Sequence, residues 1–569
     1  MMPAPPPAGP ASPGVVRSAK RIALITLASR VCGMIRDIAL AAWLGNDMVQ
    51  DRFTYGFIIS NVFRRLFGEG ALAAAFVPTL SRALQQEGPR EGRRLFSAVA
   101  TLLAVVLAGI TLLGEAVLLV LLMLGSGESY RLGVGLTAAM LPFMPLICIT
   151  ALMASCLNVL GRFSWPAAMP ILMNLIQIAC IWWIAPSLPG GPSRQVYAVA
   201  AAVVISGLAQ VWVLGLQLRR LGYRWRWLWL PGHPGVRTIM VTMAPAMIGM
   251  GIMQIEPVID GQIILWLSAA GPHRTVELAG RTYDCPLDEG SQSSVSQAQR
   301  LYQFPLGVLA ISLATAVFPA LARHAAAGDH AAMRTEVGRS VRLAVFEGLP
   351  AGVGLILLAE PITRLLFEHG RFTAENTAAT AWVLRFYAAG LWAFCAQHML
   401  LRGFYAMHDT RTPLKVSVAA AISHIPLNLL LVWTPLGAGS FGLTASVTAA
   451  GSVFVLAWLL RARLGGRLDL KAILAGFLRA AAASAAMALA VRAVLRLGEP
   501  HWTAAAGALS GLLGGGLSAR LLRNGLEVLV PMAAGGAVFL AASAALGSTE
   551  LRELLDRRRT RRTAGKGQD

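Results

Sequence analysis

Apolar stretches of about 20 residues recur along this chain from Ala19 to Gly547, separated by short polar turns. A helix needs about 20 apolar residues to cross the hydrocarbon of a bilayer. A chain that repeats such stretches cannot hide them all in one water-soluble core. The spacing therefore predicts an all-α polytopic membrane protein. Composition agrees: 56% of the 569 residues are hydrophobic and 14% are charged, against roughly 25% charged in soluble domains. Fourteen spans are predicted, roughly at 19–44, 50–83, 96–125, 134–159, 165–186, 196–218, 237–268, 296–321, 341–367, 376–404, 413–434, 439–462, 471–495 and 525–547. The Gly-rich stretch 502–521 is assigned to the membrane interface. The expected organisation is a disordered N-terminus over 1–17, six-helix lobes over 18–226 and 227–463, two additional helices over 464–549 and a basic tail over 550–569.

The formal net charge is +21. Nucleic acid is one reason for a basic chain, but here Lys and Arg sit mostly in short loops between apolar runs. With the N-terminus inside, about 30 of them fall on inner segments and about 10 on outer ones. Because cytoplasmic loops carry the basic excess, both termini are expected in the cytoplasm, with the loop 269–295 outside. The tail Arg557-Arg558-Arg559-Thr560-Arg561-Arg562 then reads as a topology anchor. No short apolar segment with a small-residue cleavage site follows the Pro- and Ala-rich start, so no cleaved signal is expected. Of six cysteines, only Cys285 lies in a polar loop, and no pairing or metal spacing is visible.

Two internal echoes point to duplicated halves. "AFVPTLSRAL" (75–84) closes the second span and "VFPALARHAA" (317–326) closes the eighth. The fifth and eleventh spans both begin after a basic residue and a proline, in "GRFSWP" and "DTRTP". The offsets are similar, and six spans per half keep both halves in one orientation. Many secondary transporters are built from repeats of this kind, with the substrate site at their interface.

The spans contain charges that such a setting makes costly. The first holds Arg30, Arg36 and Asp37; the second begins at Asp51 and holds Arg64, Arg65 and Glu69; the eighth holds Arg300. An arginine at the bilayer centre costs roughly 2.5–3.5 kcal/mol, so these five should face protein or water. Ion pairing is one account: Arg36 with Asp37 or Asp51, and Arg65 with Glu69. Snorkelling is another. Five arginines against three acids still leave positive charge over, which suits an anionic substrate in a wet cavity. Arg rather than Lys fits phosphate, because its planar fork binds oxygens bidentately. Gly68 and Gly70 flank Glu69 and allow a bend there, whereas Gly45 reads as a C-cap. Secondary candidates are Asp260, with Glu256 beside it, and Arg385. Asp260 could hold a coupling cation, with pairing to Arg385 or a boundary charge as the alternatives. Asn158, Asn174 and Asn428 read as helix–helix hydrogen-bonding groups. No catalytic set, metal ligands or cofactor motif is found, and no G-x4-G-K-[ST] loop for ATP.

The motifs "SRVCGMIRDIALAAWLG", "FRRLFGEGALAAAFVPTLS", "LNVLGRFSWPAAMPILMN", "QRLYQFPLGVLAISLATAVFP" and "RGFYAMHDTRTPLKV" resemble, in order, those of the MurJ (MviN) family. These are lipid II flippases of the multidrug/oligosaccharidyl-lipid/polysaccharide exporter superfamily. The resemblance covers about residues 18–550. It implies fourteen helices, two six-helix lobes in a V around a central cationic cavity, and two further helices forming a groove for a polyprenyl tail. It carries cavity roles onto Arg30, Arg36, Asp51, Arg64, Arg65, Glu69 and Arg300. One departure is Gln299, where many relatives have Asp. The implied activity is transport rather than catalysis: flipping lipid II to the periplasmic leaflet of the inner membrane, driven by an ion gradient or the membrane potential. Membrane lipids and cell-wall synthesis proteins are the other expected partners, and nucleic acid is not. The alternatives are an exporter of another polyprenyl-linked oligosaccharide or of drugs, a polyprenyl-phosphate glycosyltransferase and a cell-wall scaffold. A glycosyltransferase would want clustered carboxylates for Mg²⁺; Asp284, Asp288 and Glu289 read as a solvated loop.

Overall fold

A computed structural model describes residues 13–64, 72–268, 275–278, 280–466, 469–512 and 519–555. The chain divides into two compact units, 1–261 and 262–569. The sequence division was expected at 226/227; by contacts, most of the ninth helix belongs with the first unit.

The first unit contains α1 (Pro13–Leu44), α2 (Met48–Phe63), α3 (Leu72–Gln86), α4 (Pro89–Leu124), α5 (Glu128–Met140), α6 (Phe143–Val159), α7 (Ser164–Ala179), α8 (Pro192–Arg220) and most of α9 (Pro234–Leu267). Local chemistry sets the ends. Gly45 stops α1 with φ +77° and an N–H to Ala41 O at 2.8 Å, the expected C-cap. Asp47 then caps α2 by accepting from Gln50 N at 3.0 Å. Pro89 opens α4 at a position whose N–H needs no helical partner. On α4, Leu112, Leu113, Val117, Leu119, Met123 and Leu124 are all exposed, an apolar surface that only lipid or another apolar partner would cover.

The second unit takes the end of α9 and then a hairpin, β1 (Thr275–Leu278) paired antiparallel with β2 (Arg281–Asp284). It continues with α10 (Ser291–Leu306), α11 (Ser312–Ala326), α12 (His330–Leu357), α13 (Ala359–Phe367), α14 (Ala374–Ala389), α15 (Leu391–Ala406), α16 (Arg411–Leu431), α17 (Gly439–Arg463), α18 (Leu470–Leu512) and α19 (Ala519–Ala545). A π-helical turn, Gly307–Ile311, joins α10 to α11 just after Pro305, where the missing N–H breaks the regular ladder. Two expectations change here. The loop 269–295 contains a hairpin, and its last residues already belong to α10: Ser293 is 1% exposed. In addition, α18 does not end near 495 but runs unbroken to Leu512, so the start of the stretch placed at the interface belongs to the same helix as the thirteenth span.

Ten helical segments among the described residues are long and apolar enough to cross a membrane, or eleven if bent α14 and α15 form one span. Of the fourteen expected spans, α1, the pair α2–α3 and α9 are not among those that pass this test. The duplication is visible in packing. In the first unit α2 packs on α5, α3 on α4 and α6, α6 on α8, and α7 on α8. In the second, α10 packs on α14, α11 on α12 and α15, α15 on α17, and α16 on α17. The echoed prolines, Pro78 and Pro319, lie inside the matching helices α3 and α11. All six cysteines are free.

Candidate functional site

On α1, Arg36 and Asp37 are neighbours, and α7 brings Asn174 against them. Arg36 Nε and Nη2 donate to Asp37 Oδ1 at 3.1 and 2.9 Å, and Nη1 donates to Asn174 Oδ1 at 3.1 Å. Asn174 Nδ2 donates in turn to Ser29 O at 3.4 Å. The guanidinium carbon lies 5.6 Å from the centre of the Phe57 ring on α2, within cation–π range. Arg36 is 8% exposed, and Asp37 and Asn174 are also buried. A charge so enclosed persists only with a counter-charge and satisfied N–H groups, and Asp37 and Asn174 supply both. Ion pairing with Asp37 is thus the arrangement Arg36 adopts. Three of its five N–H donors are engaged among the described residues, and two are not.

Arg30 differs. It is exposed, six residues before Arg36 on α1, with no hydrogen bond or ion pair among the described residues. Six residues correspond to about 240° of turn, so one arginine faces the α7 packing and the other does not. Asp51 is buried in the first turn of α2 and engaged in interactions. Arg64 forms the C-cap of α2, and its Nε donates to Asn61 Oδ1 at 2.7 Å. Asp260 is buried on α9, with Glu256 half-buried one turn earlier. Arg65 and Glu69, with Gly68 and Gly70, lie outside the described residues.

In the second unit Arg300 is half-buried on α10 and engaged in interactions. Gln299 beside it donates from Nε2 to the Tyr387 hydroxyl at 2.9 Å. Tyr387 stacks on Tyr302 at 4.9 Å, and Tyr302 stacks on Phe394 at 5.3 Å. The uncharged residue at 299 thus orients an aromatic stack beside the arginine. Arg385 on α14 lies 3.8 Å from Glu360 on α13.

The first unit therefore assembles Arg36, Asp37 and Asn174 and leaves Arg30 exposed on the same helix. Sequence reading placed Asn174 correctly as a helix–helix hydrogen bonder but missed that its partner is Arg36. It also missed Phe57. The available signal was an asparagine within an apolar span, which needs a polar partner.

The family described as "Lipid II flippase MurJ" matches residues 40–511. A "Probable lipid II flippase MurJ" of Rhizobium meliloti is 33% identical over 435 residues, covering 74% of this chain and 76% of that protein. A "Lipid II flippase MurJ" of Burkholderia cenocepacia is 31% identical over 442 residues, covering 74% and 78%. Among solved structures, "Lipid II flippase MurJ, inward closed conformation" matches with TM-score 0.71 at 20% identity, covering 94% of this chain and 99% of that one. An inward-facing multidrug resistance MATE family transporter of the MOP superfamily matches with TM-score 0.63 at 13% identity, covering 78% and 98%. At these identities the structural matches speak for the fold. The family match over most of the chain, the relatives above 30% identity and ten or more apolar helices converge: this is a multi-pass inner-membrane protein that belongs to the lipid II flippase MurJ family.

Proposed function

We propose that this protein carries lipid II from the cytoplasmic to the periplasmic leaflet by alternating access, with both termini in the cytoplasm. Family membership supports the substrate. The observation that carries the binding mode is Arg30, an arginine in an apolar span without a partner among the described residues. Arg30, Arg36 and Arg300 take the pyrophosphate of the head group. Arg36 offers its two remaining donors from a guanidinium already fixed by Asp37 and Asn174. Arg64 and Arg65 support the positive field, while Asp51 and Glu69 limit it. The polyprenyl tail stays in lipid as the head crosses. An ion gradient or the membrane potential drives the return, with Asp260 as the residue for a coupling cation. Cell-wall synthesis proteins are the partner class that would consume the flipped product.

The test is translocation of fluorescent lipid II in proteoliposomes. The full chain should flip it and Arg30→Ala should flip it about tenfold more slowly or worse, at equal protein incorporation; equal rates would overturn the cationic site. Orientation is tested separately in cells lacking Cys285. A cysteine at exposed Arg281 should react with an impermeant thiol reagent, and one at Ala327 should not. Ser293 is unsuitable because it is buried.

A further inference from the structure

At the end of α18 remote from Leu470, helices α13, α18 and α19 enclose a cavity of about 540 Å³ that the flipping mechanism does not use. Part of its lining is a closed ion-pair network. Arg364 contacts Glu360 at 2.7 Å and Glu527 at 3.2 Å, and Arg520 contacts Glu368 at 2.8 Å. Arg385 adds a contact to Glu360 at 3.8 Å, but other donors in the lining are unmatched. Arg496 and Arg523 line the cavity without a carboxylate or hydrogen-bond partner among the described residues, and Arg523 Nε is buried. Asn524 is 4% exposed, lines the same cavity, and has no acceptor for Nδ2 among the described residues. A buried N–H left without an acceptor costs about 1–3 kcal/mol. Two such donors, with the exposed guanidinium of Arg496 beside them, around one cavity call for an anion rich in acceptor oxygens.

Position narrows the class. Arg496 comes 26 residues after Leu470, about 40 Å along a helix, whereas the hydrocarbon is about 30 Å thick. The cavity thus sits where α18 leaves the apolar layer, at the level of lipid phosphates. Below it, Leu474, Leu478 and Leu489 of α18 and Leu529 and Leu540 of α19 are exposed apolar side chains along which acyl chains can lie. We infer that the cavity binds a phosphate-bearing anion at the membrane surface, with Arg496, Arg523 and Asn524 as its donors. Glu499, which also lines the cavity without a cationic partner among the described residues, repels a second negative charge. It thereby favours the single charge of a phosphodiester headgroup over the dianion of free phosphate.

The full-length protein in detergent is followed by thermal unfolding with dioctanoylphosphatidylglycerol, dioctanoylglycerol and sodium phosphate. No lipid II is present, so the result stands apart from the flippase reading. The expected result is a saturable rise in Tm with the phospholipid, none with the diacylglycerol, and one with phosphate only at much higher concentration. Arg496→Gln, an exposed position that does not threaten the fold, and Arg523→Gln should each weaken binding about tenfold or more. Arg523→Lys should recover part of it. Glu499→Gln should strengthen phosphate binding. Arg492→Gln, on the same helix but outside the cavity, should change nothing. Phosphate binding as tight as the phospholipid would identify the free ion as the source and leave the anion site standing. No saturable rise, equal binding by Arg496→Gln, or an equal loss in Arg492→Gln would overturn the inference.

Discussion

The two halves of this chain share a packing plan and differ in what they place on it. The turn before the fifth span and the turn before the eleventh show both facts at once. In the first, Gly161 has φ +75° and Arg162 N donates to Leu157 O at 2.8 Å; in the second, His408 has φ +58° and Asp409 N donates to Phe404 O at 3.0 Å. The backbone device is the same, a left-handed residue closing a helix. The first half uses the residue that adopts it freely. The second uses a histidine, followed by Asp409, which accepts from Thr412 N at 3.0 Å and Thr412 Oγ1 at 2.7 Å and lies 3.4 Å from Arg463. The same divergence runs through the spans. The first half buries a charged pair, Arg36 with Asp37, held by an asparagine from α7. The second sets Arg300 beside neutral Gln299, which is bonded to a tyrosine. A duplicated scaffold keeps its helix contacts because packing tolerates few changes, while individual side chains set on it are free to diverge.

The strongest way to break this comparison is to remove Asp37. Asp37→Ala strands a buried arginine and should cost about 3–5 kcal/mol, read as lost membrane protein on immunoblots and a lowered Tm. Arg36→Met with Asp37→Leu should restore the level without restoring transport. Gln299→Leu, the corresponding change in the second half, should cost only about 0.5–1.5 kcal/mol. If Asp37→Ala and Gln299→Leu are equally mild, the charged pair is not structural.

Next in size is the loss of a proposed phosphate contact. Arg30→Ala and Arg300→Ala should each weaken head-group binding by about 1.5–3 kcal/mol, or roughly tenfold or more. The readout is complementation of a flippase-depleted bacterium at matched protein levels. Lysine keeps the charge but loses the fork, so Arg30→Lys should recover growth only in part. Normal growth with Arg300→Ala but not with Arg30→Ala would confine the anion to the first half.

The two turns offer a smaller contrast. Gly161→Ala should lower stability by about 1 kcal/mol, because a side chain at positive φ is strained. His408→Gly should raise it by about 0.5–1 kcal/mol for the same reason. Opposite signs in thermal unfolding are expected; two losses would show that the His408 side chain contributes to the turn.

The smallest effect is a pH dependence confined to the second turn. Desolvation raises the Asp409 carboxyl, but hydrogen bonds from Thr412 and Arg411 and the nearby Arg463 outweigh it and hold the pKa below its ordinary value of 3.8. A depressed pKa stabilises the fold above the unfolded value and loses that contribution as pH falls through the folded one. Asp409→Asn should therefore lower Tm slightly at neutral pH, and the difference should vanish in acid below the folded pKa. A difference that persists there would assign the effect to packing.

Much of this was legible in the order of residues. Runs of about 20 apolar residues determined the all-α membrane class, because hydrocarbon accepts few alternatives to a helix. The two echoes revealed the duplication, since Pro and Gly mark positions where the backbone itself is constrained. The intramembrane arginines announced themselves as polar groups in apolar runs, and Asn174 did so for the same reason. The sequence was silent wherever the partner is distant in the chain. That Arg36 is held by Asn174, 138 residues away, and lies near Phe57 while Arg30 stays exposed depends on which face of α1 meets α7. The hairpin at 275–284 escaped because its two four-residue strands are too short for a periodicity to register. The cavity between α13, α18 and α19 gathers charges that each look like ordinary span-end residues. Only helix packing brings Arg364, Arg523 and Asn524 to one place, because a side chain's partners follow from tertiary distance and its span from local hydrophobicity.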